Sequence, residues 1–575
     1  MAWRKREAIL RDFASSRVER GISLVTFREE KPWLEVYREH VAPETEVFEG
    51  SVFEFLGRAV QKHSGKVALS FFGNDVPFAH LHGAVEKLSA AMSGVGVSKG
   101  DRVALMLPNC PQYVMGFFAT VKLGAVVTQL NPLYVEREIE YILRDSGAGT
   151  IFVYADMYER VKAVLPETSL KNVVVVSFGG KVELDEGHYL FDDFLAGGEG
   201  EVAPASVDPD KDLAALQYTG GTTGVSKGAM LTHRNLLANV GQTLDMFASN
   251  REKFQNNDGI VGVLPFFHIY GLTCVMMFGL DLGLKQLLIP RFDPEMILNT
   301  VRDNAPKFFP AVPTMYMGLL ASGADLKEYG FDRVDTFNSG GAALPVNLKR
   351  SFEQKAGRPV FEGYGLSETS PVTHNNPTFL AGGREGSIGI PIPSTDARIV
   401  DVETGEREMP VGESGELIIK GPQVMAGYWN MPDETERALR DGWLYTGDVA
   451  TMDGDGYFYI VDRKKDMIVA SGYNIYPREI EEVLFEHEAV AEAVAIGVPD
   501  EYRGETVKAF VVRKPGSDLT EDELVAFCRE RLAAYKVPKA VSFREELPKS
   551  TVGKLLRRVL ADEEKARTGD VGGAS

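Results

Sequence analysis

Short apolar runs alternate with helical patterns along much of the chain. The runs at 103–107, 125–127 and 151–154 read as buried strands, and 113–121 between the first two carries a helical pattern. Repeated strand–helix alternation is typical of parallel sheets with helices packed on their faces. The alternation returns over 261–361. The sequence therefore predicts an α/β fold whose large N-terminal domain contains stacked αβ subdomains.

The pattern changes in two places further along the chain. From 386 to 421, short strands broken by Gly and Pro indicate a small β-barrel-like subdomain. Beyond it, Pro477 opens one helical pattern and Thr520 caps another, as expected of a small C-terminal α+β domain. The predicted division is an N-terminal domain over 1–462, a hinge at 463–466, the C-terminal domain over 467–567 and a disordered Gly-rich tail over 568–575.

The segment 218–228 holds four glycines, three threonines and one lysine. Glycines let the backbone approach a ligand closely, and successive N–H groups and hydroxyls can surround anionic oxygens. The pattern is not a Walker A loop, because Val225 and Ser226 separate Gly224 from Lys227. An ordinary hairpin turn is the alternative interpretation. Partner motifs elsewhere favour a polyphosphate site.

Five further motifs follow this loop, at 339–345, 362–369, 442–448, 462–466 and 548–554. Together with the loop they resemble, in order and approximate spacing, the motifs of the acyl-adenylate-forming enzymes. That superfamily contains acyl-CoA synthetases, peptide-synthetase adenylation domains and firefly luciferase. The resemblance covers about residues 52 to 565, and the loop and the 462–468 segment are most similar to bacterial long-chain fatty acid–CoA ligases.

The resemblance implies a two-step reaction. A medium- or long-chain fatty acid would be activated by ATP to acyl-AMP with release of pyrophosphate, and coenzyme A would then form the thioester. Adenylation is needed because a carboxylate oxygen is a poor leaving group. Adenylation of an aryl or other carboxylic acid, and transfer to a carrier protein instead of CoA, remain open. A P-loop ATPase is disfavoured by the spacing of Lys227, and a silent binding protein by the complete set of motifs.

The resemblance also assigns residues to the nucleotide and its metal. Glu368 and Thr219 are expected to bind Mg²⁺, which prefers hard oxygen ligands. Asp448 is expected to accept hydrogen bonds from the ribose, and Tyr364 to offer a stacking face. The full set expected to bind ATP or AMP is Thr219, Gly220, Gly221, Thr222, Thr223, Gly224, Lys227, Gly341, Ala342, Ala343, Tyr364, Gly365, Ser367, Asp448 and Arg463.

Three further roles come from the resemblance. Lys554 is the expected catalytic residue, a cation at the bridging oxygens of the transition state, although a basic run such as this is more often a solvated face. Lys465 matches the hinge about which the C-terminal domain would rotate, and Gly472 matches the CoA tunnel. The acyl substrate is expected near His268, Tyr270, Gly271 and Gly340, with a core histidine as the alternative for His268.

Composition restricts the function classes. With 62 basic and 82 acidic residues the net charge is −20, which argues against a general nucleic-acid binder. Three cysteines without metal spacing are consistent with a reducing compartment, so we expect a cytoplasmic protein. No run resembles a transmembrane span. Peripheral contact with the inner membrane face through the basic start of the chain, a homodimer, and the preferred acyl chain length are left open.

Overall fold

The computed structural model describes residues 31–37, 40–219, 226–247, 258–380, 383–470, 473–500, 503–550 and 555–569. The predicted fold class is confirmed: a large N-terminal domain of sheets and helices is followed by a smaller C-terminal domain. No helix in these ranges is both long enough and apolar enough to cross a membrane.

The first large sheet has seven strands among the described residues. In spatial order they are Tyr189–Leu190, Asn172–Val176, Thr150–Tyr154, Arg102–Met106, Val126–Gln129, Leu213–Thr219 and Lys227–Thr232. All neighbours are parallel except the last pair, which is antiparallel. The Gly-rich segment thus joins two adjacent strands at the sheet edge.

Both faces of this sheet are covered. In strand Arg102–Met106, Val103 belongs to an apolar cluster shared with the second large sheet. Its neighbour Ala104 points into another cluster with Ile139. Alternate side chains of a strand face opposite sides, so a continuous apolar run indicates burial on both. This explains why the apolar runs of the sequence predicted these strands.

The second large sheet has nine strands in the described part of the chain. In spatial order they are Ile390–Pro391, Val372–Asn375, Val360–Gly365, Thr336–Ser339, Phe308–Ala311, Gly259–Gly262, Lys285–Leu288, Val67–Phe71 and Asn74–Pro77. Its centre is parallel, as the alternation over 261–361 predicted, and its three edge pairings are antiparallel.

Helices connect and cover these sheets. Their starts follow ordinary capping chemistry: Ser51 and Glu54 form a reciprocal capping box, and Asp293 caps the helix that Pro294 begins. The α-helices of the N-terminal domain are Leu34–Tyr37, Val52–His63, Phe78–Gly94, Pro111–Lys122, Glu136–Ser146, Tyr158–Val164, Phe191–Ala196, His233–Phe247, Ile269–Gly271, Phe278–Leu282, Pro294–Asn304, Pro313–Ala321, Val346–Ala356 and Pro432–Ala438, with a π-helical turn at Leu272–Met277.

An antiparallel sheet follows where the sequence predicted a small β subdomain. Its described strands are Asp396–Val400, Gly415–Lys420, Leu439–Arg440, Trp443–Met452 and Phe458–Arg463. Its apolar side chains, including Ile399 and Leu417, pack in a cluster with Ile390 of the nine-stranded sheet. This packing brings the strand Trp443–Met452, and with it Asp448, close to the end of strand Val360–Gly365.

The C-terminal domain has its own core. Its described strands are Ile468–Ala470, Tyr473–Ile475, Val490–Asp500, Gly504–Arg513 and Ala540–Arg544, and its helices are Pro477–Glu486, Glu521–Arg529 and Arg557–Gly569. Ile480, Leu524 and Cys528 pack against these strands in a separate apolar cluster. Cys528 is fully buried there.

Candidate active site

A cavity of about 1050 Å³ lies where strands of both large sheets end and meet the antiparallel sheet and the C-terminal domain. Ligands of open α/β sheets bind at the carboxyl ends of strands. Fifteen of the residues predicted for the site line this cavity: Thr219, Lys227, His268, Tyr270, Gly340, Gly341, Ala342, Ala343, Tyr364, Gly365, Ser367, Glu368, Asp448, Arg463 and Lys465. Motifs spread over about 250 positions therefore converge on one space.

Gly271 is the one predicted residue within the described ranges that does not line the cavity. Gly271 lies behind the wall, where a Cβ would be 2.2 Å from the backbone oxygen of Pro265. That close approach explains the glycine. The other predicted residues lie outside the described residues: Gly220, Gly221, Thr222, Thr223, Gly224, Gly472 and Lys554.

One part of the cavity wall, called here the charged end, contains an aspartate, an arginine and a tyrosine that contact one another. Asp448 and Arg463 face each other across adjacent antiparallel strands, and Arg463 Nε lies 2.7 Å from Asp448 Oδ1. The charge of Asp448 raises the pKa of Arg463. The hydroxyl of Tyr364 donates a hydrogen bond to Asp448 Oδ2. These two contacts fix the orientation of the Asp448 carboxylate at the cavity wall. A carboxylate held in this way can accept hydrogen bonds from the hydroxyls of a sugar.

Glu368 supplies a carboxylate to the same space. Tyr428 donates a 2.7 Å hydrogen bond to Glu368 Oε1. Nearby, Thr219 stands opposite Lys227 across the antiparallel pair that flanks the Gly-rich segment. Within the described ranges no three His, Cys, Asp or Glu side chains converge as a metal cage. A carboxylate with hydroxyl neighbours fits Mg²⁺, which usually completes its shell with phosphate oxygens and water.

Lys227 has an acidic partner that the sequence analysis did not identify. Its ammonium forms an ion pair with Glu434, in the first turn of the helix Pro432–Ala438, and lies 5.2 Å from the ring centroid of Tyr428. The hydrogen bond from Lys227, opposed by partial burial, lowers the pKa of Glu434. The two residues are 207 positions apart, so no local pattern could have paired them.

Another part of the cavity wall, called here the apolar arm, is a contiguous group of apolar side chains in which the Phe278 ring centroid lies 6.0 Å from that of Phe247 and 5.2 Å from that of Phe308. It contains Phe247, Ile260, Cys274, Phe278, Phe308 and Met317. Tyr270, which also lines the cavity, donates a 2.8 Å hydrogen bond to Asn338 Oδ1, and Gly340 lies directly against the Tyr270 ring. The half-buried His268 accepts from the backbone N–H of Tyr270 through Nδ1. Asn338 was missed because a single Asn carries no sequence signal.

A buried carboxyl and an arginine connect the cavity with the C-terminal domain. Glu362 is 4% exposed and accepts from the backbone N–H of Leu344, and burial raises its pKa to about 7. Arg557, at the start of the last helix, pairs with Glu481 at 2.5 Å and lies 3.4 Å from Asp462. The described part of the C-terminal domain therefore meets the cavity through charged contacts.

Comparisons with known proteins find relatives that match nearly the whole chain. The family "AMP-binding enzyme" matches residues 56–429, and "AMP-binding enzyme C-terminal domain" matches 479–554. A long-chain-fatty-acid–CoA ligase of Bacillus subtilis (strain 168) is 45% identical over 93% of this chain and 98% of its own length. ATP-bound MatB from Rhodopseudomonas palustris superposes with a TM-score of 0.81 at 31% identity, covering 89% of this chain and 99% of that one. The anthranilate CoA ligase AuaEII with anthranoyl-AMP gives 0.83 at 27% identity, covering 90% and 98%.

Proposed function

The chain belongs to the AMP-binding enzyme family, and from that premise we propose that it is a fatty acid–CoA ligase that forms AMP. A medium- or long-chain fatty acid is adenylated by ATP, and the acyl group then passes to coenzyme A. The observation that carries the proposal is the dual character of the cavity. Charged residues, among them Asp448 and Glu368, and an apolar group that includes Phe247 and Phe278 line the same cavity.

In the first step a carboxylate oxygen of the fatty acid attacks the α-phosphorus of ATP. The bond from that phosphorus to the bridging oxygen breaks, and pyrophosphate leaves with the electron pair. Asp448 and Arg463 hold the ribose side of the nucleotide, and Tyr364 offers its ring to the adenine. Lys554 neutralises charge that develops on the bridging oxygens. These contacts fix the two reactants in line, which supplies much of the rate acceleration.

Two residues at the charged end are proposed to bind the metal ion. Glu368 and Thr219 would hold Mg²⁺ together with oxygens of the nucleotide. When bound, the ion would neutralise part of the negative charge of the nucleotide phosphates. Lys227 adds a further positive charge on the same side, next to the segment 220–224, whose residues are proposed to surround the β- and γ-phosphates.

In the second step the thiolate of coenzyme A attacks the acyl carbonyl carbon, and AMP leaves. One static arrangement serves both steps poorly, because Lys554 would occupy space that the thiol needs. We therefore assign 1–462 and 467–567 to two bodies that rotate about the hinge at 463–466, with Lys465 at its centre. Gly472 would then border the pantetheine path, where a side chain would obstruct the thiol.

Pyrophosphate exchange tests the acid specificity of the full-length protein. ATP–pyrophosphate exchange is measured with saturated fatty acids of graded length and with benzoate and 4-coumarate as aryl competitors. The proposal expects the highest kcat/KM among the fatty acids. A higher value for an aryl acid would overturn it in favour of an aryl-acid ligase.

A second assay identifies the acceptor. The adenylate formed with the best acid is offered either free coenzyme A or a holo carrier protein at equal concentration. Thioester formation with coenzyme A is the expected result, followed by mass spectrometry of the product. Transfer to the carrier protein alone would refute the ligase proposal while leaving the adenylation step intact.

A further inference from the structure

The ion pair between Lys227 and Glu434 lies at the charged end of the cavity. Lys227 lines the cavity, whereas Glu434 is not among the lining residues and reaches the ammonium from the neighbouring helix. Their side chains are 19% and 32% exposed, so the pair is partly shielded from solvent. Charges in such a site interact more strongly than on an open surface.

An ordinary glutamate is ionised at neutral pH, and the contact of Glu434 with Lys227 lowers its pKa further. Arg437 approaches its other oxygen at 2.6 Å, but that guanidinium is 71% exposed and solvent screens it. The positive charge that Lys227 presents to the cavity is therefore largely neutralised by Glu434, which does not itself line the cavity. A polyphosphate arriving at Lys227 meets a cation that already has a counter-ion.

We propose that Glu434 is a competing counter-ion that weakens the binding of the β- and γ-phosphates at Lys227 and thereby promotes pyrophosphate release. The inference rests on the proposed function for the placement of those phosphates beside Lys227. On arrival of the triphosphate the ammonium is shared or exchanged between Glu434 and phosphate oxygens. When pyrophosphate departs, the ion pair between Glu434 and Lys227 forms again.

A purely orienting role for Glu434 is the competing interpretation, and it predicts the opposite sign. The orientation of Lys227 has a second support, since its ammonium lies over the ring of Tyr428, whose hydroxyl is fixed on Glu368. Loss of the Glu434 charge leaves that support in place. The gain in free positive charge should therefore outweigh the loss of orientation.

Nucleotide binding to the full-length protein tests the inference without any acyl substrate. MgATP, Mg-pyrophosphate and AMP are titrated calorimetrically into wild type and Glu434→Gln. The variant should bind MgATP and Mg-pyrophosphate about 3- to 10-fold more tightly, about 0.6–1.4 kcal/mol. AMP lacks the β- and γ-phosphates, so its dissociation constant should not change.

Glu436→Gln is the matched control, because Glu436 lies in the same helix, is exposed, and undergoes the same change of charge. It should leave all three dissociation constants unchanged. Glu434→Asp keeps the charge and should bind MgATP within about twofold of wild type, which separates charge from shape. The inference is overturned if Glu434→Gln binds MgATP more weakly, if AMP tightens equally, or if Glu436→Gln has the same effect.

Failure of this inference and failure of the proposed function are distinguishable. Equilibrium binding of MgATP requires no turnover, so the sign of the Glu434→Gln effect is readable even in a protein that rejects every fatty acid. Conversely, normal fatty acid activation with weaker MgATP binding in the variant would reject the counter-ion role and leave the ligase proposal standing. A thermal melt of each variant identifies a folding defect, and if Glu434→Gln is destabilised, Glu434→Ala, which also removes the charge, carries the test.

Discussion

Arg463 Nε lies 2.7 Å from Asp448 Oδ1, on neighbouring strands of the antiparallel sheet. The Asp448 side chain is 4% exposed, so its charge is held in place by the guanidinium and by the hydroxyl of Tyr364. A charge this buried is costly without its partners. The same arrangement leaves an oriented carboxylate at the cavity wall, and it ties the strand that ends at Arg463, where the proposed hinge begins, to that wall.

Asp448→Asn should weaken the nucleotide site. The change removes a charged acceptor and leaves Arg463 without its main partner, at a cost of about 2–3 kcal/mol, or about 30- to 150-fold. The measurement is the dissociation constant of AMP together with the KM for ATP. Asp441→Asn, at an exposed turn near the same strand, is the control and should change neither. Equal effects of the two substitutions would contradict a nucleotide role for Asp448.

Arg557→Gln should separate the two half-reactions. Arg557 joins the last helix to Glu481 and to Asp462 before the proposed hinge, and it follows Lys554 by three positions. Loss of these contacts should misplace the lysine and lower the rate of ATP–pyrophosphate exchange by about tenfold or more. Thioester formation from supplied acyl-AMP, which does not need Lys554, should fall by less than about threefold.

Two variants calibrate the Arg557 measurement. Lys554→Ala should abolish exchange and leave transfer from acyl-AMP largely intact, which sets the limit of the effect. Arg558→Gln removes an equal charge from the next position, where the arginine also lines the cavity but, among the described residues, forms its ion pair with Asp562 of its own helix and not with Glu481 or Asp462. It should alter both steps by less than about twofold. If Arg557→Gln slows both steps equally, its role is structural stability and not positioning.

The sequence predicted the fold well because its signals are local. Alternating apolar runs and capping residues such as Ser51 fix elements through neighbours along the chain. The motif residues were also predicted, because Asp448 and Glu368 lie in sequence motifs that resemble those of the family. What the sequence did not indicate is the partner of each motif residue. Glu434 meets Lys227 only through tertiary packing, and Phe278 in the apolar arm looks like any other core residue.

Glu362→Gln should stabilise the protein at alkaline pH. Burial raises the folded-state pKa of Glu362 to about 7, above its ordinary value, while Arg478 and Lys349 partly oppose this. Between about pH 4.5 and 7 the folded state therefore binds more protons than the unfolded state, and stability falls as pH rises. The cost of the ionised carboxyl above pH 7 is about 3 kcal/mol.

Thermal melts at pH 5.5 and pH 8 measure this difference. Relative to wild type, Glu362→Gln should gain about 2–4 °C more in apparent Tm at pH 8 than at pH 5.5. Glu328→Gln, at an exposed loop position, should show no such pH dependence. A shift of the same size at both pH values would mean that Glu362 is ionised, or is protonated, throughout the range.

Gly340→Ala should impair the acyl end of the cavity selectively. A Cβ at this position would lie 3.1 Å from the ring of Tyr270, which is 7% exposed and is held by Asn338. The ring has little room to retreat, so overpacking should cost about 1–2 kcal/mol and displace Tyr270 in the cavity wall. The KM for the fatty acid should rise about 5- to 30-fold, whereas the dissociation constant of AMP should stay within about twofold.

Gly57→Ala is the matched control for that substitution. Gly57 lies inside the helix Val52–His63, and a Cβ there would have no heavy atom within 4 Å. The same added methyl should stabilise the protein by about 0.5–1 kcal/mol and leave the KM for the fatty acid unchanged. Gly340→Ala with an unchanged fatty-acid KM would remove Tyr270 from the acyl site. An equal loss of AMP affinity would instead indicate a distortion that extends to the predicted nucleotide residues, which include the neighbouring Gly341.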